Sequence, residues 1–265
     1  MPFARPLLAR FALLLLTLGA CAFASESRAD RLATIERVRA SVVAVGTFER
    51  TRSPQFQFLG TGFAVGDGSI IATNSHVLPS MLDPVRRETI AILLPARPRE
   101  SKGEVQVREA KRLAVDPTTD LALLKITGDS LPPLTIRDGD DARDGQDVLF
   151  TGFPIGAVLG PYPATHHGMV SVVTPIAIPQ ARASELDPAT VRRLTTGSFP
   201  VLQLDATAYP GNSGSPVYDP ETGDVIGVIN MVLVKGTKES ALSQPSGITY
   251  AVPARYLKSL LEKTR

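Results

Sequence analysis

Short apolar runs separated by turn residues dominate the chain from residue 41 onward. Each run is four to seven residues long, and Gly, Pro, Asp or Asn lies between nearly all of them. Runs of this length with these breakers are typical of β-strands, and long helical patterns between them are lacking, which argues against a parallel α/β sheet. The pattern therefore predicts an all-β fold, either a sandwich or a pair of barrels. The twelve predicted strands are Ser41–Thr47, Gly62–Val65, Ser69–Thr73, Ile90–Leu94, Glu104–Arg108, Leu121–Ile126, Val148–Phe153, Gly168–Val173, Val201–Leu204, Ser215–Tyr218, Val225–Met231 and Ile248–Val252.

Helical periodicity flanks this β region. Apolar residues at positions 32, 35 and 38, with charges between them, predict a short helix or arm over residues 25–40. Val252–Lys263 predicts a closing helix that has Pro253 near its first turn. The apolar side of that helix consists of Tyr256, Leu257, Leu260 and Leu261.

Two polar segments interrupt the predicted strands. Thr127–Asp147 is rich in Asp, Gly and Pro and predicts a connector between two halves, which we place at residues 41–133 and 134–265. Ala181–Gly197 holds Pro188 and many polar residues, and it predicts a surface loop.

The first 24 residues predict a secretory signal peptide, since two arginines precede an apolar run at 11–18 and small residues follow it. Two processing sites stay open: Ala22-Phe23-Ala24 is an A-x-A cleavage site, whereas Leu18-Gly19-Ala20-Cys21 resembles a lipoprotein box in which Cys21 would carry a lipid. A retained membrane anchor is a third interpretation, although the run is too short to span a bilayer comfortably. All of these place the folded part outside the inner membrane of a bacterium, as a periplasmic, secreted or tethered protein.

Composition excludes wholesale disorder and argues against nucleic acid as a partner. Of 265 residues, 43% are apolar and 20% are charged, which is enough for a sizeable core in one or two compact units. Removing Arg5 and Arg10 with the signal leaves 26 basic against 26 acidic residues. A neutral chain lacks the positive field that phosphate backbones require, so nucleic acid is not an expected partner. The one cysteine cannot form an internal disulfide.

The segment Pro210-Gly211-Asn212-Ser213-Gly214-Ser215-Pro216 is the strongest local signal for chemistry. Glycines on both sides of a serine let the backbone take positive φ and expose the hydroxyl together with neighbouring N–H groups. A serine alone is inert at neutral pH, so catalysis would require a base and an orienting carboxylate. Without those partners the segment is an ordinary turn.

Histidine and aspartate candidates for these roles lie upstream. His76 follows an apolar strand, where a side chain can project into a cleft, while His166 and His167 lie in a predicted turn. Asp116–Ile126 brings an aspartate to the entrance of an apolar strand, where a partly buried acid can accept an imidazole N–H. The adjacent histidines point apart and have no third ligand nearby, so we predict no metal site and no cofactor.

These segments form an ordered set that resembles the HtrA/Deg branch of trypsin-like serine proteases. The resemblance covers about residues 41–260. The matching stretches are Gly60-Thr61-Gly62-Phe63, Ile71-Ala72-Thr73-Asn74-Ser75-His76-Val77, Thr119–Ile126, Gly152-Phe153-Pro154-Ile155-Gly156, Gly168-Met169-Val170-Ser171, Gln203–Pro216 and Gly247-Ile248-Thr249-Tyr250-Ala251-Val252-Pro253.

The resemblance implies two six-stranded antiparallel β-barrels of the chymotrypsin type, with a short C-terminal helix and a catalytic triad of His76, Asp120 and Ser213. One barrel would supply the histidine and the aspartate, and the other would supply the serine. His76 would deprotonate Ser213, while Asp120 would hold the imidazole in the right tautomer. The oxyanion hole would be formed at Gly211, Asn212 and Ser213, with the N–H groups of the first and the last as donors.

Three features depart from the family pattern. Ser75 stands where the family usually has a small apolar residue, and Ser215 replaces the second glycine after the nucleophile. We expect neither to touch the triad, although Ser215 could alter the turn. The chain ends about a dozen residues after Pro253, so we expect no PDZ domain and no regulation by one.

Two expectations concern activation and specificity. Asn212 stands where trypsin-like zymogens use an aspartate to pair with a freed N-terminal amine, so activation of that kind is not expected. Thr207 and Ala208 occupy the base of the implied primary specificity pocket, and without an acid there we predict small or medium apolar side chains rather than Lys or Arg. The substrate is predicted to pair as an added strand with Val228, Ile229, Asn230 and Met231.

The sequence therefore predicts a serine endopeptidase that acts on polypeptides in the bacterial envelope. A pseudoprotease that only binds extended chains and a non-catalytic envelope structural protein are the alternatives, and the presence of all three triad residues favours the enzyme. The oligomeric state stays open, including a trimer built through the arm as in some relatives.

Overall fold

The structure is a computed structural model that describes residues 30–95, 105–137, 142–156, 160, 162–175, 199–230 and 247–264. The predicted signal peptide with Cys21, the predicted loop at 181–197 and Met231 lie outside these ranges. Within them, twelve strands form two closed six-stranded antiparallel barrels. The predicted all-β double barrel is thus confirmed.

The first barrel is built from the earlier half of the strands, in the order β1-β2-β3-β6-β5-β4. Nearly continuous apolar sequence in β1 and β6 corresponds to strands whose side chains are almost all buried. The strands are β1 Val42–Phe48, β2 Phe56–Val65, β3 Ile70–Asn74, β4 Thr89–Leu93, β5 Val107–Asp116 and β6 Leu121–Ile126.

The second barrel has the order β10-β11-β12-β9-β8-β7. Its shortest strand, β10, follows directly on the Gly-Asn-Ser-Gly turn. The strands are β7 Asp147–Gly152, β8 Ala164–Pro175, β9 Pro200–Asp205, β10 Pro216–Tyr218, β11 Val225–Ile229 and β12 Ile248–Pro253.

Three strands are much longer than predicted, and β9 and β12 are slightly longer. β2 begins at Phe56, β5 continues to Asp116, and β8 begins at Ala164. The turn predicted around His166 and His167 is therefore wrong, because both residues lie within β8 and pair with β7.

Both predicted helices are present. Residues 30–39 form a helix, α1, whose Thr34 and Arg37 donate side-chain hydrogen bonds to the carbonyls of Glu221 and Thr222 in the second barrel. The closing helix α2, Ala254–Glu262, begins two residues later than predicted, directly after Pro253. No helix in the described ranges is long and apolar enough to cross a membrane.

A shared core joins the two barrels. One apolar cluster contains Phe63 and Leu121 from the first barrel, Tyr218 and Val228 from the second, and Leu257 from α2. The connector adds backbone hydrogen bonds to both sides, since the N–H at 134 binds the carbonyl of residue 64 and the N–H at 225 binds the carbonyl of residue 135. This packing fixes the junction at which the candidate site lies. The predicted boundary between residues 133 and 134 stays a prediction.

Candidate active site

His76, Asp120 and Ser213 meet at the junction of the barrels. His76 lies in a single 3-10 turn, Ser75–Val77, directly after β3, and Asp120 lies in the turn before β6. Because β3 and β6 are paired antiparallel, with Asn74 opposite Leu121, the end of one strand meets the beginning of the other. Ser213 comes from the second barrel, just before β10.

The three side chains form a continuous hydrogen-bonded chain. His76 Nδ1 lies 2.6 Å from Asp120 Oδ2, and His76 Nε2 lies 3.0 Å from Ser213 Oγ. An ionised carboxylate only accepts hydrogen bonds, so Nδ1 carries the ring proton and Nε2 of the neutral ring is left as an acceptor. The serine hydroxyl then donates to Nε2, which is the arrangement needed to remove its proton.

Four donors surround the Asp120 carboxylate. Oδ1 accepts from Ser75 Oγ at 2.8 Å and from His76 N at 2.9 Å, and Oδ2 accepts from Asn230 Nδ2 at 2.8 Å besides the imidazole. Burial raises the pKa of Asp120, but the hydrogen bonds from His76 and Ser75 and the electrostatic attraction of His76 together lower it by more, so the net pKa lies below the ordinary value. The carboxylate is therefore held ionised although the residue is only 4% exposed.

Two of these donors, Ser75 and Asn230, have roles that differ from those predicted from the sequence. The expectation that Ser75 would not touch the triad is wrong, because its hydroxyl binds Asp120 directly. Asn230 is predicted to bind substrate, but its side chain donates to Asp120 from the second barrel. Asn230 directly follows β11, and no local sequence pattern signals this role.

The nucleophile turn needs its glycines. Gly211 has φ of 102°, and a Cβ there would lie 2.3 Å from the carbonyl oxygen of Phe153. Gly214 has φ of 87°, and a Cβ there would lie 2.0 Å from the carbonyl oxygen of Thr61. A separation under about 3 Å to rigid backbone excludes any side chain, so both positions require glycine.

Two N–H groups of this turn have no acceptor among the described residues. The N–H of Asn212 donates to the carbonyl of Tyr209 at 2.9 Å, and that of Gly214 donates to Ile229 at 3.0 Å. Within the described ranges, no acceptor is paired with the N–H of Gly211 or that of Ser213. These are the two donors expected for an oxyanion, whereas the N–H of Asn212 is already engaged.

Thr61 of β2 ties this turn to the opposite barrel. Its N–H binds the carbonyl of Ser213 at 2.8 Å, and its Oγ1 donates to the carbonyl of Gly211 at 2.7 Å. The same Oγ1 accepts from the N–H of Phe153 at 3.1 Å, and the Thr61 carbonyl accepts from Thr73 Oγ1 at 2.7 Å. One residue of the first barrel thereby holds both ends of the Gly211–Ser213 segment.

Ser215 leaves the shape of the turn intact. Its φ is not positive, so a glycine is not required there, and its N–H closes the turn on the carbonyl of Asn212 at 2.9 Å. Its side chain is fully buried. The expectation that this serine could alter the turn therefore has no support in the backbone geometry.

The predicted substrate-binding residues differ in accessibility. Ala208 is buried and Thr207 is half-buried, and the hydroxyl of Thr249 positions this loop through the N–H of Ala208 and the carbonyl of Ala206. Val228 and Ile229 are fully buried, and β11 is paired on both edges. The predicted pairing of a substrate strand with these two residues is therefore wrong.

The adjacent histidines do point apart. His166 stacks on Phe150 with ring centroids 4.7 Å apart, while His167 is exposed, with its Nε2 3.4 Å from Asp147 Oδ1. Among the described residues there is no group of three side chains that could hold a metal ion.

Two closed six-stranded barrels with a nucleophile, a base and an acid at their junction are the architecture of trypsin-like peptidases. The family model described as "Trypsin-like peptidase domain" matches residues 60–228, more than half of the sequence. The chain belongs to this family.

Similar proteins carry HtrA-type names. A "Probable periplasmic serine endoprotease DegP-like" of Marinomonas sp. is 29% identical over 208 residues, which is 78% of this chain and 35% of that protein. "Serine protease HTRA4" of Mus musculus is 29% identical over 256 residues, or 92% of this chain and 44% of that protein. The chain thus spans less than half the length of these curated relatives.

A solved structure has the same fold. It is an HtrA-type protease, AlgW, in a serine-to-alanine form with a tripeptide, and it superposes with a TM-score of 0.59 at 23% identity. The match covers 88% of this chain and 62% of that chain.

Proposed function

We propose that this protein is a serine endopeptidase that cleaves polypeptides in the bacterial cell envelope. The observation that carries the proposal is the hydrogen-bonded chain from Asp120 through His76 to Ser213 Oγ, next to the two unpaired N–H groups. A nucleophile, a base that touches it, an acid that orients the base and an oxyanion site together specify acyl transfer.

The proposed reaction follows from this geometry. His76 Nε2 takes the proton as Ser213 Oγ attacks the carbonyl carbon, and the ionised Asp120 stabilises the resulting imidazolium. The N–H groups of Gly211 and Ser213 bind the oxygen that becomes negative. His76 then gives its proton to the leaving amine, and water hydrolyses the acyl-enzyme by the same steps in reverse.

The proposed location is supported by the names of relatives and by the predicted signal peptide, and the proposed specificity is supported by two residues of the sequence. The periplasmic names of the bacterial relatives and the predicted signal at 1–24 favour the envelope, whether the chain is cleaved before Ser25 or lipidated at Cys21. The neutral Thr207 and Ala208 favour small or medium apolar residues on the acyl side of the cleaved bond. A peptide panel that shows a preference for Lys or Arg there would overturn this specificity.

Covalent labelling tests the activity. A serine-directed phosphonate should modify the native protein at Ser213 and leave the Ser213→Ala variant unmodified, because only an activated serine reacts. Peptide mass mapping locates the adduct, and a quenched casein substrate should be hydrolysed only by the native protein. A native protein that keeps its thermal transition but neither reacts nor hydrolyses would favour the alternative, a pseudoprotease that binds extended chains.

A further inference from the structure

We propose that the cleft beside Gly211 binds a large apolar side chain on the leaving-group half of the substrate, at the first or second residue after the cleaved bond. The inference rests on the proposed peptidase function and assigns a specificity that the triad alone does not give. The cleft has a volume of about 400 Å³. It is lined mainly by Phe56, Phe58, Leu59, Ile155, Pro210 and Gly211.

The cleft adjoins the reacting centre. Gly211, whose N–H is one of the two proposed oxyanion donors, forms part of its wall, and its Cα approaches the ring of Phe58 so closely that a Cβ would lie 3.0 Å from Cε1. Two residues further along β2, Gly60 lies against the carbonyl of Ser213 and the side chain of Val77. β2 therefore leads directly from the cleft to the nucleophile and to the residue after His76.

This position corresponds to the leaving-group side of the substrate. His76 must protonate the departing nitrogen, so that nitrogen lies toward the first barrel, which supplies both His76 and β2. The acyl side then faces Thr207 and Ala208, which Thr249 holds against the second barrel. An extended chain advances about 3.4 Å per residue, so the first two residues beyond the cleaved bond reach the cleft.

The arginine that lines the cleft already has its partners within the protein. Arg52 donates to Glu88 Oε1 at 2.9 Å, to the carbonyl of Thr47 at 2.8 Å and to Gln57 Oε1 at 3.1 Å. Its remaining hydrogen bonds go to the Thr47 hydroxyl and to the carbonyls of residues 54 and 55. A substrate carboxylate would have to displace these partners, whereas the half-buried aromatic and leucine side chains of β2 offer apolar contact.

The opposite wall is held in an unusual backbone conformation. Ile155 has φ of 56°, which is rare for a β-branched residue, and its N–H binds the carbonyl of Pro210 at 2.6 Å. At Gly156 a Cβ would lie 2.2 Å from Cδ1 of Phe58. Such strain is usually found where a site must be preorganised, and here it places the Ile155 side chain on the cleft.

Quenched peptides with one common acyl half test the assignment. Ala, Leu, Phe and Asp are placed in turn at each of the two positions after the cleaved bond. Phe or Leu should raise kcat/KM over Ala by about tenfold to a hundredfold at one of these positions, and Asp should lower it, as expected for one side chain in an apolar pocket. The ratio of kcat/KM for the Phe or Leu peptide to that for the Ala peptide should fall toward one in Ile155→Gly. This variant removes the side chain that forms the wall, and glycine accepts the positive φ at this position. Val115→Ala, on the outside of β5, is the matched control and should keep the ratio.

Binding to the Ser213→Ala protein separates this inference from the proposed function. Fluorescence anisotropy of the same uncleaved peptides should show the same order of affinity, with Phe above Ala, and loss of that order when Ile155→Gly is added. If the native protein reacts and hydrolyses but neither rates nor affinities depend on these positions, the inference is wrong and the peptidase proposal stands. If hydrolysis fails while the apolar preference in binding holds, the cleft is a peptide site and the peptidase proposal is the part that fails.

Discussion

At the scale of single residues, the polar groups around Asp120 determine how well His76 can work. The carboxylate accepts four hydrogen bonds. The donors are the imidazole of His76, the backbone N–H of His76, the hydroxyl of Ser75 and the side-chain amide of Asn230. Each neutral donor keeps the acid ionised and fixes the plane of the carboxylate, which in turn orients the imidazole.

Replacing Ser75 should weaken catalysis without unfolding the protein. Ser75→Ala removes one donor to the buried carboxylate, and a hydrogen bond to a charged group is worth about 1.5–3 kcal/mol, so we expect kcat/KM to fall about tenfold to a hundredfold. Ser75→Thr keeps the hydroxyl and should retain most of the rate. Steady-state kinetics on a quenched peptide measure both, and an unchanged kcat/KM in Ser75→Ala would contradict the role assigned to the hydroxyl.

The residues of the candidate triad could be predicted from the sequence, but their outer partners could not. His76, Asp120 and Ser213 stand in motifs whose order along the chain is informative. Asn230 directly follows β11 of the second barrel and reaches Asp120 only because the two barrels pack together, and no local sequence pattern encodes that packing. The sequence marks Ser75 as unusual, yet the direction of its side chain depends on the 3-10 turn.

At the scale of elements, the turn that carries Ser213 depends on its glycines for two separate reasons. Gly211 combines positive φ with a close approach to backbone. Gly145 has a similar φ of 86°, but a Cβ added there would meet no atom of the described residues within 4 Å. Substitutions at Gly211 and Gly145 therefore distinguish the effect of a strained backbone conformation from the effect of a steric clash.

Gly211→Ala should abolish most activity. The added methyl group would collide with the carbonyl of Phe153 and displace an oxyanion donor, which typically costs on the order of 10²–10³ in kcat. Gly145→Ala carries only the conformational cost of about 1–2 kcal/mol and should keep its kcat. Thermal melts and kcat values compare the two, and equal kcat losses would mean that the clash is not the cause.

The β7–β8 hairpin contains a half-buried histidine, His166, that should make stability depend on pH. Burial lowers the pKa of His166, so the folded protein binds a proton there more weakly than the unfolded chain does. The stabilisation is fully present above the unfolded pKa of about 6.5 and is lost as pH falls through the lower folded value.

His166→Phe should flatten this dependence. The ring stack on Phe150 is kept, but the group that must stay neutral is gone, so the free energy of unfolding should fall less between about pH 7 and about pH 5 than in the native protein. His167→Phe, on the exposed face of the same strand, is the control. Urea unfolding at several pH values gives the free energy of unfolding of each protein. If that free energy changes equally with pH in the native protein and in His166→Phe, the role assigned to His166 is wrong.

Strand positions could be predicted wherever both faces are apolar. Leu121–Ile126 is one such strand, and its predicted bounds are those in the structure. The predicted end of β5 at residue 108 is too early, because residues 109–116 mix charged with small or apolar residues without strict alternation and are largely exposed. Gly and Pro on either side of the two histidines predict a turn at the start of β8, although pairing with β7 overrides that preference.

At the scale of the whole molecule, the two barrels share one apolar core, and we therefore expect them to unfold as one cooperative unit. Leu257 of α2 is fully buried in the same cluster as Leu121 of the first barrel and Val228 of the second. A change in that cluster should therefore affect both halves.

Leu257→Ala should destabilise both barrels together. Truncation of a fully buried leucine typically costs about 2–5 kcal/mol. Hydrogen–deuterium exchange should show reduced protection in strands of both barrels, β1 as well as β11, with a single unfolding transition. Val115→Ala, on the outer face of β5, should change neither, and loss of protection confined to the second barrel would show that the halves unfold independently.

The hydrogen bonds of Thr61 make the junction of the barrels, here called the seam, important for activity as well as for stability. The Gly211–Ser213 loop of the second barrel, which would bind the developing negative charge, is hydrogen-bonded to the first barrel through the side chain and backbone of Thr61. Misplacement of catalytic groups by about an ångström can reduce rates by about a hundredfold. A compound that wedges the halves apart there should silence the enzyme while leaving the nucleophile untouched, which makes the seam a target for inhibitors that do not resemble peptides.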